Sequence, residues 1–201
     1  MIRNLRLYLF SILFMLLNNL DANLVYPQNN SELNYTHVLF EWNQIPEADS
    51  YNLYIAKDSL FNDVIRIVTV NSLVFIEKEN IDWESNYFWR LHPNYDSPIS
   101  IEWSDIFTFS TGQKRSDATA IIYNENNFSP GLTIFGSFYN YYSAMVDING
   151  EEVWNTGDKN IVYYNSTPEL DLLGCFSDNS LEYNLPGINF DINSNFIWEE
   201  P

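Results

Sequence analysis

The chain has 201 residues, with 27 acidic against 9 basic side chains and a formal net charge of −18 at pH 7. Such a charge repels nucleic-acid phosphates and anionic lipid surfaces, so neither is expected as a partner. Hydrophobic residues make up 46% of the chain, enough for a sizeable core, and the single cysteine, Cys175, excludes an internal disulfide.

Residues 1–22 have the pattern of a secretory signal. Arg3 and Arg6 precede an apolar run at 7–17, and polar residues follow it. The run is shorter than the ~20 residues that span a bilayer, which favours a signal cleaved near Ala22 over an uncleaved anchor. We therefore expect a protein that is secreted, periplasmic or displayed at the cell surface, with no membrane contact beyond this segment.

The next part of the chain, residues 24–112, predicts a β-sandwich. Short runs rich in aromatic and β-branched residues alternate with turn residues, at 38–42, 51–56, 64–70, 73–76, 87–91 and 106–109. Regularly spaced short strands of this kind are typical of two packed antiparallel sheets. Trp42 and Tyr51, on successive strands, supply large apolar area for the space between the sheets.

The order of motifs in this part resembles a fibronectin type III domain of the kind found beside secreted bacterial catalytic domains. The motifs are Tyr26-Pro27, Phe40-Glu41-Trp42, residues 48–56, Phe61, Tyr87-Phe88-Trp89-Arg90, Trp103-Ser104 and Phe107-Thr108-Phe109. The resemblance covers residues 24–112. It implies a spacer or binding module without an active site.

His37 and His92 are the two histidines of the chain. Neither has a second histidine or a cysteine at metal-ligand spacing. We therefore predict no metal site, no cofactor and no catalytic residue in this chain.

Residues 113–117 are short and polar and predict a linker between the sandwich and residues 118–201. Apolar runs resume after it, at 120–123, 132–136, 142–147 and 152–154. Cys175 lies in the apolar run 172–176, where we expect it to be buried as a small hydrophobic residue.

A motif occurs twice in this last part. Residues 147–154 read DINGEEVW and residues 191–198 read DINSNFIW, an offset of 44 residues. A period of ~40–45 residues is that of a four-stranded propeller blade. Asn149-Gly150 predicts a hairpin with a type I′ turn. A calcium loop of the EF-hand kind is disfavoured, because its twelfth position would be Asp158 instead of glutamate.

These elements resemble the opening blades of the bacterial arylsulfotransferase family, over residues 118–201. The motifs are residues 130–134, residues 144–154, Leu172-Leu173-Gly174, Phe190-Asp191-Ile192 and Ile197-Trp198. Members are secreted or periplasmic β-propellers that move sulfate from a phenolic sulfate ester to another phenol through a histidine nucleophile, with further histidine and arginine residues holding the sulfate.

No catalytic residue of that family can be assigned here. Both histidines precede the repeat region, and Lys159 is the single basic residue after Arg115. The resemblance therefore predicts incomplete propeller blades: the non-catalytic N-terminal portion of an exported enzyme whose full-length form acts on phenolic sulfates.

The sequence leaves a second function open, that of a secreted surface module that binds carbohydrate or protein. The candidate contacts are five tyrosines, because aromatic rings suit sugar faces and interfaces. They are Tyr139, Tyr141, Tyr142, Tyr163 and Tyr164. Packing between strands is the competing interpretation for these residues.

Overall fold

The computed structural model describes residues 23–96, 103–117, 131–168, 171–177 and 185–201. These residues form strands and no helix, which confirms the all-β fold. The proposed signal at 1–22 and the apolar run at 120–123 lie outside the described residues.

The first eight strands form two sheets with a sandwich-like arrangement, in which β1–β3, β4–β5 and β4–β7 pair antiparallel. They are β1 (Leu24–Tyr26), β2 (Ser31–Leu33), β3 (Val38–Trp42), β4 (Ser50–Ala56), β5 (Val64–Val70), β6 (Val74–Glu77), β7 (Asn86–Asn94) and β8 (Phe107–Thr111). The sheet orders are β1-β3-β6 and β2-β8-β7-β4-β5. All six runs predicted as strands are strands, and the three-residue strands β1 and β2 are additions.

Aromatic side chains fill the core between these sheets. Along β4 every second residue from Tyr51 is buried, as the period of two requires for a sheet with one covered face. The rings of Trp42 and Tyr51 lie 5.5 Å apart and those of Phe40 and Trp89 lie 5.1 Å apart, both edge to face. The predicted core positions of Trp42 and Tyr51 are confirmed.

The remaining strands form two further antiparallel sheets. They are β9 (Thr133–Ser137), β10 (Tyr142–Val146), β11 (Glu152–Asn155), β12 (Ile161–Ser166), β13 (Leu172–Phe176), β14 (Gly187–Phe190) and β15 (Phe196–Glu199). The sheet orders are β11-β10-β9 and β12-β13-β14-β15.

The sequence repeat is also a repeat of strand register. The pairs Ala144↔Asn155, Met145↔Trp154 and Val146↔Glu152 of β10–β11 recur as Ile188↔Glu199, Asn189↔Trp198 and Phe190↔Phe196 of β14–β15. Each residue is displaced by the same 44 positions, and the register shift that marks a bulge falls at the same step in both hairpins. The two segments are therefore the same structural unit, built twice.

The described residues divide into two compact units. The first contains the described residues up to Ser31 together with those of Leu39–Ile76 and Asn86–Phe109. The second contains Glu32–Val38, Glu77–Ser85 and Ser110–Pro201. Residues from the early part of the sequence thus belong to the unit that carries the repeat.

Within the second unit, residues 34–36 add a strand-like segment to the edge of β11. The Thr36 N–H donates to the Val153 carbonyl at 2.9 Å, and the Asn155 N–H donates to the Asn34 carbonyl at 3.0 Å. Between them, Tyr35 forms an antiparallel bridge with Trp154. The edge of β11 is therefore paired.

Candidate functional site

The loop of the first hairpin is organised by the carboxylate of Asp147. Its Oδ1 accepts the N–H groups of Asn149 and Glu151, each at 2.8 Å. The Gly150 N–H donates to the Asp147 carbonyl at 3.1 Å, which closes a β-turn. The hairpin is confirmed, but the predicted type I′ turn is wrong. A type I′ turn needs positive φ at both Asn149 and Gly150, but only Gly150 has it, at 82°. The Asp147 side chain instead holds a three-residue loop, residues 148–150, whose last residue is left-handed.

The second hairpin repeats this loop bond for bond. Asp191 Oδ1 accepts the N–H groups of Asn193 at 2.9 Å and Asn195 at 2.8 Å. The Ser194 N–H donates to the Asp191 carbonyl at 2.8 Å. Ser194 occupies the left-handed position, with φ of 61°.

The geometry of both loops argues against cation binding. In each loop aspartate, Oδ1 already accepts two backbone N–H groups and Oδ2 accepts a side-chain amide, from Asn149 in the first loop and from Asn195 in the second. Over the described ranges no group of three histidine, cysteine, aspartate or glutamate residues is placed to hold a metal ion.

The second loop is held by donors from three other parts of the second unit. Trp154 Nε1 donates to the Ile192 carbonyl at 2.6 Å, Lys159 Nζ donates to the Ser194 carbonyl at 2.6 Å, and the Tyr35 hydroxyl donates to Asn193 Oδ1 at 3.3 Å. Two of the three acceptors are main-chain carbonyls. The second loop is thus held mainly through its main-chain carbonyls, which any hairpin with the same loop conformation would offer.

The two copies differ in exposure. In β11, Glu152, Val153 and Trp154 are 3%, 6% and 1% exposed; in β15, Phe196, Ile197 and Trp198 are 38%, 59% and 55% exposed. All four residues of β15 are exposed, and β15 is the last strand of its sheet. Strand β15 thus lies at a sheet edge and exposes apolar side chains, and both features are typical of a surface that binds another protein segment.

Glu152 is a buried carboxylate that ties residues 113–116 to β11. Its Oε1 accepts the Arg115 N–H at 2.9 Å and Asn155 Nδ2 at 2.6 Å, and its Oε2 accepts the Ser116 N–H at 2.6 Å. Donors thus surround the charge, as burial of a carboxylate requires. Part of the segment predicted as a linker is fixed by these bonds.

A polar cleft of about 330 Å³ lies in the second unit, lined by Glu32, Asn34, Gln113, Arg115, Gly157 and Asp158. Its one cation is already engaged, because Arg115 Nη1 donates to the Gly157 carbonyl and the guanidinium lies 5.1 Å from the Tyr142 ring centroid. The lining offers hydrogen-bonding groups to a hydroxylated ligand. It does not offer a free positive charge for sulfate.

The two histidines occupy different surroundings. His37 precedes β3 and is half-buried; burial chiefly, and Lys78 in addition, lower its pKa below 6.5, while Asp147 opposes the shift. His92 lies within β7, with its ring centroid 5.0 Å from that of Trp103. Neither belongs to a cluster of metal-ligating groups in the part of the chain that the structure describes.

Two of the five candidate tyrosines are exposed. Tyr139 is 82% and Tyr164 is 55% exposed, and Phe138, itself exposed, lies 6.1 Å from the Tyr164 ring. Tyr141, Tyr142 and Tyr163 are half-buried, and Tyr142 packs on Phe135 at 6.3 Å. The exposed aromatic cluster is therefore Phe138, Tyr139 and Tyr164, and Phe138 is a member that the sequence argument missed.

Cys175 is buried, as expected from its apolar run. Burial of the Tyr164 hydroxyl, followed by its hydrogen bond to the Cys175 side chain, raises the pKa of Tyr164 to about 12. A phenol with so high a pKa stays protonated in neutral solution, so Tyr164 presents an uncharged ring at the surface.

In the first unit, the exposed ring of Trp103 is already paired. The Arg90 guanidinium lies between two rings, 3.9 Å from the Trp103 centroid and 4.0 Å from the Phe61 centroid. Such stacking is a cation–π contact. It occupies the rings that a ligand would otherwise use, which makes this face of the sheet a weaker candidate than the aromatic cluster of the second unit.

Within the described ranges, no helix is long and apolar enough to cross a membrane. Comparison of the sequence with protein-family models gives no match, and comparison with curated proteins gives none either.

Proposed function

We propose that this chain is the non-catalytic N-terminal portion of an exported arylsulfotransferase-type enzyme. Its role there is that of a scaffold whose repeats stack side by side as propeller blades, following a fibronectin type III-like module. The observation that carries the proposal is the recurrence of every β10–β11 pairing in β14–β15 after 44 residues. A fixed period of this length supports a radial array of blades.

The contact between successive repeats supports stacking. Trp154 of the first copy is 1% exposed and donates to the loop carbonyl of Ile192 in the second copy. In repeat architectures each unit buries its apolar face against the next one, and this hydrogen bond lies at such a junction.

The basic side chains of residues 113–201 support a non-catalytic role. Lys159 donates to the Ser194 carbonyl, Arg115 to the Gly157 carbonyl, and Lys114 lies 3.2 Å from Glu151. Transfer of a sulfate group needs cations aimed at the developing negative charge. Each of these three cations already has a partner within the chain.

A direct assay tests the chemical part of the proposal. We expect the 201-residue chain, incubated with a phenyl sulfate donor and a phenol acceptor, to release no phenol above the buffer rate. A catalytically active arylsulfotransferase run in parallel shows that the assay works. Turnover by this chain that survives repeated purification would contradict the non-catalytic assignment.

Export is tested separately. We expect expression of the full chain in a Gram-negative host to yield an extracytoplasmic product whose N-terminus follows residue 22. A matched variant with Arg3→Glu and Arg6→Glu should remain inside the cell, because the basic start of a signal is lost. Equal distribution of both chains would contradict the proposed localisation.

The exposed aromatic cluster favours a second candidate function, recognition of a neutral carbohydrate. Tyr139 and Tyr164 offer aromatic rings with large exposed fractions, and such rings stack on the apolar faces of sugars. In a gel that contains soluble neutral polysaccharide, the wild-type chain should be retarded and Tyr139→Ala should migrate freely. Leu60→Ala, at an exposed aliphatic residue, is the control; equal mobility of all three chains would reject this function.

A further inference from the structure

We infer that the open face of β15 is a docking surface for a β-hairpin with an Asp-x-Asn loop, whose loop carbonyl accepts a hydrogen bond from Trp198 Nε1. The inference rests on the stacking of repeats in the proposed function. It is independent of sulfate chemistry and of the family assignment.

Trp154 already makes the contact with the second loop that Trp198 is placed to repeat. Trp154 stands on β11 opposite Met145 and donates to the Ile192 carbonyl, which is the first loop position after Asp191. Trp198 stands on β15 opposite Asn189, in the same register 44 residues later. An indole at the same place on the same backbone projects in the same direction relative to its own hairpin, so it offers its N–H to a loop in the equivalent position.

The residues around Trp198 match an apolar interface. Phe196 and Ile197 are exposed beside it, at the positions where Glu152 and Val153 are buried in the first copy. The Glu152 position is decisive, because its carboxylate there receives N–H groups from Arg115 and Ser116, whereas Phe196 offers no acceptor. At Phe196 and Trp198 the β15 face therefore suits apolar side chains and a carbonyl acceptor, and the phenylalanine lacks the carboxylate that receives residues 115 and 116 in the first copy.

The chemistry of the occupant follows from these features. It presents a main-chain carbonyl at the first position after the loop aspartate, and it covers Phe196 and Trp198 with apolar side chains. A hairpin of the same repeat meets both conditions. A second copy of this chain is disfavoured, because two chains of net charge −18 repel each other.

The test extends the full chain by one repeat. A second copy of residues 157–200 is placed after Glu200, which continues the 44-residue period, and the added copy carries phenylalanine in place of its tryptophan. Each chain is also made with Trp198→Phe, and subtracting the spectrum of that variant from the spectrum of its parent gives the fluorescence of Trp198. The control extension has the same 44 residues in scrambled order.

We expect the added repeat to remove most of the acrylamide quenching of Trp198 and to shift its emission to the blue, while the scrambled extension leaves both unchanged. Circular dichroism should show added strand. Trp198 that stays fully quenchable, or an extension that gains no strand structure, would overturn the inference. So would a concentration-dependent dimer of the unextended chain in which Trp198 is protected, since a second copy would then fill the face. If Trp198 is protected but the chain transfers sulfate, the docking inference stands and only the non-catalytic role is rejected.

Discussion

The hairpins β10–β11 and β14–β15 have the same register, the same bulge and the same aspartate-centred loop. Their outer strands nevertheless differ in burial, since Trp154 is 1% and Trp198 is 55% exposed. The local sequence Asp-Ile-Asn therefore builds the loop, and the neighbouring elements decide whether the tryptophan becomes core. The same substitution at equivalent positions of the two hairpins should therefore change the free energy of unfolding by very different amounts.

The largest difference is expected at the two tryptophans. Trp154→Ala should lower the free energy of unfolding by about 3–5 kcal/mol, the usual cost of removing a buried tryptophan. Trp198→Ala should change it by less than about 1 kcal/mol, because surface substitutions cost little. Urea unfolding followed by circular dichroism gives both values. Equal decreases in the free energy of unfolding at the two positions would contradict the difference in burial between the two hairpins.

The next difference is expected at the position that precedes each tryptophan by two residues. Glu152→Ala leaves the buried N–H groups of Arg115 and Ser116 without an acceptor, and each orphaned donor costs about 1–3 kcal/mol. We expect a total loss of about 3 kcal/mol, against less than about 1 kcal/mol for Phe196→Ala. Glu152→Gln, which keeps one oxygen acceptor, should lie between. Thermal unfolding at a common pH measures the series, and a loss at Phe196 as large as at Glu152 would contradict it.

A smaller effect of opposite sign is expected at the left-handed loop position. Ser194 has φ of 61°, a conformation that costs a non-glycine residue about 1–2 kcal/mol, offset by about 0.5–1 kcal/mol of glycine entropy. Ser194→Gly should therefore stabilise the second hairpin by about 0.5–1 kcal/mol. Gly150→Ser should destabilise the first by a similar amount. Urea midpoints that move in the same direction for both variants would show that the two loops are not equivalent.

The smallest effect concerns His37, whose pKa is also sensitive to the first loop through Asp147. Burial and Lys78 lower its pKa below 6.5, so the folded state favours the neutral ring. The resulting stability is fully present above pH 6.5 and is lost as the pH falls through the lower folded pKa. NMR titration of His92→Gln, which leaves one histidine, should give a midpoint below 6.5, and Lys78→Gln should raise it. A midpoint above 6.5 in the first variant would contradict this assignment.

In residues 24–112, strand positions were readable from the sequence wherever a run of four or more residues carried enough aromatic and β-branched side chains. Strand β4 shows why, because its alternation follows directly from the pleat. Strands β1 and β2 were missed, since three residues are too few to show a period. The repeat itself was visible because an aspartate that accepts loop N–H groups and a tryptophan seven residues later recur at the same spacing in both copies.

Long-range partners could not be read in this way. Residues 34–36 pair with β11, and Trp83 Nε1 donates to the Glu152 carbonyl at 2.9 Å, yet nothing in either local sequence specifies these partners. The turn type failed for a local reason, since Asn-Gly favours type I′ only where no preceding carboxylate captures the loop N–H groups. The exposed surface of β15 could not be predicted from its sequence either, because its exposure depends on which other elements pack against it.

Hydrogen exchange of the indole N–H groups tests the central comparison most directly. The chain has six tryptophans, and Trp154→Phe and Trp198→Phe assign the two signals of interest in a ¹⁵N-resolved spectrum. The Trp154 indole N–H, bonded to the Ile192 carbonyl at 2.6 Å, should exchange far more slowly than that of Trp198. Equal exchange rates would contradict the conclusion that one repeat is covered and the other is open.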